Sequence, residues 1–365
     1  MRVAILHDCM TSIGGAEKVV FCLAKAFDAD VITTCFNPDV LKLADAEHVR
    51  VIDLGSVTDF WIGHQVQTCL LFAGADFDNY DFYLFSGNWT CCAGKSHQPN
   101  IYLCQQPVRM FYDLKERHIN SIRPRGRMVV RTWIKVHTMW DQTAVSRMNL
   151  IATNSENVRQ RIRKYYGRES VKVYAPVATS RFRFDEIGDY WLAVNRFFPE
   201  KRIDLQLEIF RRLPQEKLLI VGDTESEEGP RRYVSQLNVP PNVKLTGAVD
   251  QKTLEDLYAR CKGFITAAID EDFGLTPIEA MASGKAVLAT DEGGYRETVV
   301  DGETGWLLPA DVNAFVEKIK SLKEEDLEAM KDKCISRAKM FDDSTFVERI
   351  RALITLVQEN PGKTY

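Results

Sequence analysis

Short apolar, β-branched runs recur along this chain, and segments with helical spacing lie between several of them. The runs are RVAIL (2–6), DVITTCF (30–36), FYLFS (82–86), NIYLC (100–104), LIATNS (150–155) and VKVYAP (171–176), with helical spacing at 15–27 and 156–166. Strands that alternate with helices must run parallel, because each return crosses the sheet through a helix. The pattern then restarts with YWLAVN (190–195), KLLIVGD (217–223), VKLTG (243–247), GFITAA (263–268) and AVLAT (286–290), and from about 311 the chain reads as helices. A chain of 365 residues exceeds one ordinary core, so the restart marks a second domain. The polar, weakly periodic stretch 176–189 is the expected boundary, giving domains 1–180 and 181–345 and a helix at 346–365 that returns to the first. Two doubly wound domains would face each other across a cleft formed by the carboxyl ends of their strands.

Composition narrows the function classes. A net charge of −4 argues against a general nucleic-acid binder, and no apolar run reaches the length of a membrane span. MRVAILHDCM enters a strand with no charged segment followed by a long apolar core, so no leader is expected. Nine scattered cysteines with no C-x-x-C pair fit reduced thiols in a cytoplasmic compartment; adjacent Cys91 and Cys92 leave a soft-metal or oxidisable site as the alternative. Six histidines with no H-x-x-x-H make a zinc site unexpected.

Three stretches carry the chemistry. In EDFGLTPIEAMASG (271–284), Glu271 and Glu279 flank a helix start. Thr276 as N-cap, Pro277 at the first turn and Glu279 reaching back would make a capping box, which accounts for Glu279 but not for Glu271 or Gly274. In NRFFPEKRID, Arg196 ends a strand and Lys201 opens the next helix, where a guanidinium and an ammonium would grip a phosphate. Gly14-Gly15 follows the first strand without a G-x-G-x-x-G fingerprint, so it is either a tight loop feeding a helix or a backbone that must approach a ligand. D-x-D occurs at Asp28/Asp30, Asp76/Asp78 and Asp270/Asp272, a frequent chance pattern in an acidic chain. Residues 106–148 hold nine Lys or Arg against three acids, interleaved with Phe111, Tyr112, Trp133 and Trp140. They read either as solvated helices with core aromatics or as an acceptor-side surface meeting anionic lipid or a pyrophosphate-linked glycan.

These residues resemble glycosyltransferase family 4, enzymes of the GT-B fold. The resemblance rests on Glu271 and Glu279 in the E-x7-E spacing, on Arg196 and Lys201, on G-G-A-E at 14–17 and on D-G-E-T-G-W-L-L at 301–308. CQQPVRMFYD (104–113) and NRFFPEKRID further resemble the O-antigen-type mannosyltransferase branch. The resemblance implies retaining, metal-independent transfer of a hexose from a nucleotide sugar to a glycan or lipid-linked glycan in polysaccharide biosynthesis. GDP-mannose is the expected donor and a UDP-sugar the alternative. Arg196, Lys201 and the backbone at Leu275 and Thr276 would hold the diphosphate, Glu279 the ribose, and Glu271 the donor sugar beside Gly274. Gly14 and Gly15 would approach the phosphates from the opposite domain. Gln105, Arg109 and His118 would stand on the acceptor side. Gln105 replaces a histidine usual in relatives, and glutamine cannot transfer a proton near neutral pH; His118 is either a substitute or an ordinary surface residue. The expected location is the cytoplasm, peripherally on the cytoplasmic face of the membrane, with no cofactor and no nucleic-acid partner. Competing readings are another GT-B enzyme, such as an epimerase or phosphorylase, and a catalytically silent sugar-nucleotide-binding subunit.

Overall fold

A computed structural model describes residues 1–365 except Asp59, Asp78, 223–227 and Pro361. The chain divides into two units: Met1–Pro176 with Ser344–Tyr365, and Val177–Asp343. Each is built on one wholly parallel sheet.

In the first unit the strands are β1 (Val3–Cys9), β2 (Asp30–Thr34), β3 (Val51–Asp53), β4 (Phe82–Ser86), β5 (Asn100–Cys104), β6 (Leu150–Thr153) and β7 (Val171–Lys172). Their order is β3-β2-β1-β4-β5-β6-β7. β1 sits centrally, pairing Ile5 with Val31 on one side and with Leu84 on the other. Such strands are covered by helices on both faces, which is why they read as continuous apolar runs rather than alternating ones. The two expected helices form at Gly15–Phe27 and Glu156–Tyr166; the second starts where Ser155 accepts a hydrogen bond from the Val158 N–H and stops at Gly167 in the left-handed conformation. The helix Asp343–Glu359 packs Phe346 and Ile350 beside Val19 and Leu103 of this unit.

In the second unit the strands are β8 (Tyr190–Val194), β9 (Lys217–Val221), β10 (Val243–Leu245), β11 (Gly263–Thr266), β12 (Val287–Thr290) and β13 (Gly305–Leu308). They lie in the order β10-β9-β8-β11-β12-β13. Counted within the unit this is 3-2-1-4-5-6, the Rossmann order. Trp191 on β8 is fully buried against Leu207, Phe210 and Leu218, and its indole N–H donates to Glu216 at 2.9 Å.

Among the described residues, eleven of the thirteen strands were expected from the apolar runs; β3 and β13 were not. Both are sheet edges of three and four residues whose side chains are mostly only half-buried.

β5 and β6 are laced by a reciprocal pair of side chains. The Asn100 backbone N–H donates to Asn149 Oδ1 and the Asn149 N–H to Asn100 Oδ1, both at 2.9 Å, and both residues are buried. Replacing Asn149 with Ala would leave the buried Asn100 N–H without its partner. The expected cost is about 2–3 kcal/mol, read as a lower urea midpoint with an unchanged slope.

Candidate functional site

In the second sheet the chain winds from β8 outward through β9 to β10, then returns to the other side of β8 as β11. The loops leaving the carboxyl ends of β8 and β11 therefore part, and a crevice opens at the switch point where α/β sheets take ligands. Arg196 follows β8, and Lys201 ends the single 3₁₀ turn Pro199–Lys201. Glu271 and Gly274 follow β11, and Leu275 and Thr276 open the helix Leu275–Ala282.

The two loops are joined by backbone and by charge. The Ile269 N–H donates to the Glu200 carbonyl at 2.8 Å, and the Lys201 ammonium meets Glu271 Oε2 at 2.5 Å. Both charged side chains keep about a fifth of their surface in water, at 25% and 18%. Arg196 is exposed, with its guanidinium 5.9 Å from the Phe198 ring centre.

The helix start departs from the capping-box expectation. Gly274 is the N-cap, at φ +93°, and no side chain caps this end. Thr276 is inside the helix rather than at its boundary, and Glu279 is a turn further in. The left-handed turn at Gly274 brings the helix in earlier than a Thr-Pro start would. A Cβ there would also sit 2.9 Å from the Tyr295 ring. The first-turn N–H groups thus lack a side-chain cap, which leaves them the anion-attracting end of a helix. Glu279 is buried and accepts the Tyr258 hydroxyl at 2.9 Å. Burial, then the charge of Glu279, pushes the Tyr258 phenol well above its ordinary value, so it stays a donor.

Several supporting residues carried no sequence signal. Tyr295 is buried under Gly274 and shares a 2.6 Å hydrogen bond with Thr266. Arg202 holds both Glu292 oxygens at 3.0 Å, and Glu292 accepts the Asp270 N–H at 3.1 Å. Asp270, of one D-x-D, is thereby fixed in a left-handed turn. Asp28 ends the Gly15–Phe27 helix, and Asp30 accepts the Tyr80 hydroxyl at 2.6 Å. Asp78 lies outside the described residues. Among those residues no group of three or more His, Cys, Asp or Glu is disposed to hold a metal ion. The nine cysteines are free thiols, with Cys92 Sγ 2.9 Å from Cys69 Sγ.

In the first unit the switch point lies between β1 and β4. Gly14 caps the helix that Gly15 begins, and its N–H donates to Glu17 Oε2 at 2.7 Å. Glu17 Oε1 meets His7 Nε2 at 3.2 Å, and His7 Nδ1 bonds the Ser86 carbonyl at the end of β4. Burial works against a charged His7, but the hydrogen bond and charge of Glu17 outweigh it and raise the imidazole. Asp8 accepts the N–H groups of Asn88, Trp89 and Thr90 at 2.7, 2.9 and 3.1 Å. Burial nevertheless pushes its carboxyl up to about 6. G-G-A-E was noticed in the sequence, yet the links from Glu17 to His7 and from Asp8 to the turn after β4 span ten and about eighty residues. Gln105 accepts the Asn154 amide at 3.1 Å, and Arg109 donates to Asp113 at 2.8 Å. His118 is half-buried, and burial lowers it.

Residues 180–341 match the model of the family described as Glycosyl transferases group 1. The chain is 32% identical over 200 residues to the alpha-1,3/1,6-mannosyltransferase alg-2 of Neurospora crassa, a match covering 45% of this chain and 42% of that protein. It is 28% identical over 187 residues to the O-antigen chain mannosyltransferase RfbU of Salmonella typhimurium, covering 50% of this chain and 53% of that one. The chain thus spans about half or less of the length of these curated relatives. Among solved structures, Anabaena Alr3699/HepE in complex with UDP and glucose superposes with a TM-score of 0.76 at 18% identity, covering 97% of this chain and 99% of that one. Sucrose-phosphate synthase from Thermosynechococcus elongatus gives the same TM-score at 16% identity, covering 98% and 99%. The likeness to the solved structures is one of fold: two Rossmann-like α/β units in one chain, the GT-B class expected from the sequence.

The raised Asp8 carboxyl has a pH signature. Its folded value of about 6 lies above the ordinary 3.8, so the native state binds its proton more tightly than the unfolded chain does. The resulting stability is present at low pH and is lost as pH rises from about 4 to about 6. The stability of the wild-type chain relative to Asp8→Asn should therefore fall by about 2–3 kcal/mol across that window. His137, lowered to about 4 by burial alone, titrates in both proteins and cancels in the difference, whereas the Asp8 charge helps raise Asp141 and His7, so their share of that coupling enters it. Urea titrations of the two proteins at several pH values read it directly.

Proposed function

We propose that this chain is a retaining, metal-independent hexosyltransferase of glycosyltransferase family 4. It moves mannose from GDP-mannose to a glycan or lipid-linked glycan. The observation that carries this reading is the Lys201–Glu271 pair beside the uncapped start of the Leu275 helix, at the switch point of the second sheet. A diphosphate needs cations and N–H donors, and a sugar needs an acceptor for its hydroxyls; these are what the two loops hold.

Arg196 and Lys201 bind the diphosphate together with the N–H groups of Leu275 and Thr276. Glu271 accepts from the hydroxyls of the donor sugar, and Glu279 from the ribose. The bond from the anomeric carbon to the diphosphate breaks and the acceptor oxygen bonds on the same face, its proton passing to a leaving diphosphate oxygen. The cations act where charge develops, and this takes the place of a metal ion. The first unit supplies the acceptor-side residues Gln105, Arg109 and His118. Mannose is supported by the mannosyltransferase relatives, and a UDP-sugar by the UDP held in the HepE complex. No helix among the described residues is long and apolar enough to cross a membrane, which accords with catalysis at the cytoplasmic face.

Calorimetric titration of two variants with free nucleoside diphosphate and with full donor tests these roles. Glu279→Ala should weaken both ligands alike; Glu271→Ala should weaken the donor and leave the free diphosphate nearly unchanged. Each loss should be about 1.5–3 kcal/mol, or roughly ten- to a hundredfold. Equal weakening by Glu271→Ala would misplace the sugar. A melting curve separates the ribose role of Glu279 from its bond to Tyr258, since loss of that bond lowers stability with no ligand present.

Turnover should also survive EDTA. Complete loss restored by a divalent ion would remove Arg196 and Lys201 as the diphosphate clamp, whose single replacement by Ala should cost about 2–4 kcal/mol of transition-state stabilisation.

A further inference from the structure

The helix Pro124–Val145 in the first unit has two apolar faces and only one core. Val130, Ile134 and His137 are buried on the inner face, where Phe111 stacks on His137 at 3.9 Å. On the outer face Met128 (79% exposed), Val129 (61%), Val136 (36%), Met139 (61%) and Trp140 (48%) stand in water. At about 100° per residue these five fall within roughly 120° of one another, opposite the buried set. Scattered apolar exposure is ordinary, but a continuous stripe along a helix is not.

Charge says what covers the stripe. The only acid in this helix is Asp141, which is buried and accepts the hydroxyls of Tyr112 at 2.6 Å and Tyr166 at 2.9 Å. Arg125, Arg131 and Lys135 are exposed beside the apolar side chains. Next to Met139 an open groove of about 470 Å³ is lined by Lys115, Arg131, Lys135 and Lys164. Its one acid, Glu116, lies 3.6 Å from Arg131, and the stacked rings of Tyr112 and Tyr165 form part of its wall. Arg127 is spent elsewhere: it donates to the carbonyls of Ile122 and Asn120 at 3.0 and 3.1 Å.

We infer that this outer face docks on an anionic lipid bilayer. Met128, Val129, Val136, Met139 and Trp140 enter the headgroup–acyl boundary, and Lys115, Arg131, Lys135 and Lys164 meet lipid phosphates. An amphipathic helix with apolar and cationic side chains on its free face is built for that boundary. A second copy of the chain fits less well, because a two-fold contact would set the same cations against each other. The inference is independent of the donor chemistry, which belongs to the second unit.

Flotation of the full chain with phosphatidylcholine vesicles, with and without phosphatidylglycerol, tests it. The wild-type chain should float with the anionic vesicles and stay behind with the neutral ones. Arg125→Glu/Lys135→Glu should weaken binding about tenfold or more, and Met139→Ser/Trp140→Ser should weaken it while making the remainder release readily in salt. All four side chains are exposed, so both variants should melt like the wild type and keep its nucleoside-diphosphate affinity. The inference is overturned if the wild-type chain ignores anionic vesicles or if both variants float as it does. Self-association, or capture of an acidic protein, through this face without vesicle binding would equally replace it.

Discussion

Glu271 is positioned through its backbone. The loop after β12 lies so close that the Gly294 N–H donates to the Glu271 carbonyl at 2.7 Å, and a Cβ on Gly293 would sit 2.4 Å from that oxygen. Gly293 is also in the left-handed region, at φ +54°, so side chains are excluded there by contact and by conformation. Tyr295, the next residue but one, fills the space beneath Gly274 and ties back to Thr266 at the end of β11. The loops after β11 and β12 thus form one packed layer, and the carboxylate that faces Lys201 stands on it. Packing this close fixes where the Glu271 backbone stands, so its side chain starts from a defined position.

The first unit uses the same topology with different chemistry. Its switch point lies between β1 and β4, and the residues ending those strands are joined by side chains: His7 to Ser86, Asp8 to the turn beginning at Asn88. Three backbone donors on one carboxylate would ordinarily hold it ionised, yet burial prevails and keeps Asp8 raised. Gly14 is held to this network through Glu17, so the glycine loop is anchored at its helix end. The second unit, by contrast, keeps its charged pair partly in water.

What was legible in the sequence follows from how local each cause is. Central strands were read because burial on both faces demands apolar runs, and the helices 15–27 and 156–166 because their periodicity is internal. The edge strands β3 and β13 escaped because each offers only two or three consecutive apolar residues. Near the site, Lys201 and Glu271 were read from residue type and spacing, and the structure brings them into contact. The helix start was misread because Thr-Pro-x-Glu satisfies a local rule that Gly274 and the Tyr295 packing override. Tyr258 and Glu292 were invisible, since each meets its partner across twenty or more residues. In residues 106–148 the core-aromatic reading holds for Phe111 and Tyr112, while Trp140 remains exposed.

The partial exposure of the Lys201–Glu271 pair bears on how an anion would be received. An ammonium left alone at a helix N-terminus would add to the positive end of the helix dipole, and the carboxylate offsets that charge. If the pair were fully buried, each charge would depend on the other for solvation, and parting them would cost several kcal/mol. At the exposure found here, water shares in solvating both ends, so the pair is worth about 1 kcal/mol or less. A group carrying two negative charges can then draw the ammonium towards itself without stranding the carboxylate. Glu271 also keeps the buried Tyr295 hydroxyl as a partner, and beyond burial itself its charge and hydrogen bond help hold that phenol up. One contact thereby sets an ammonium and a carboxylate side by side, and the glycine-packed layer beneath holds the loop that carries Glu271.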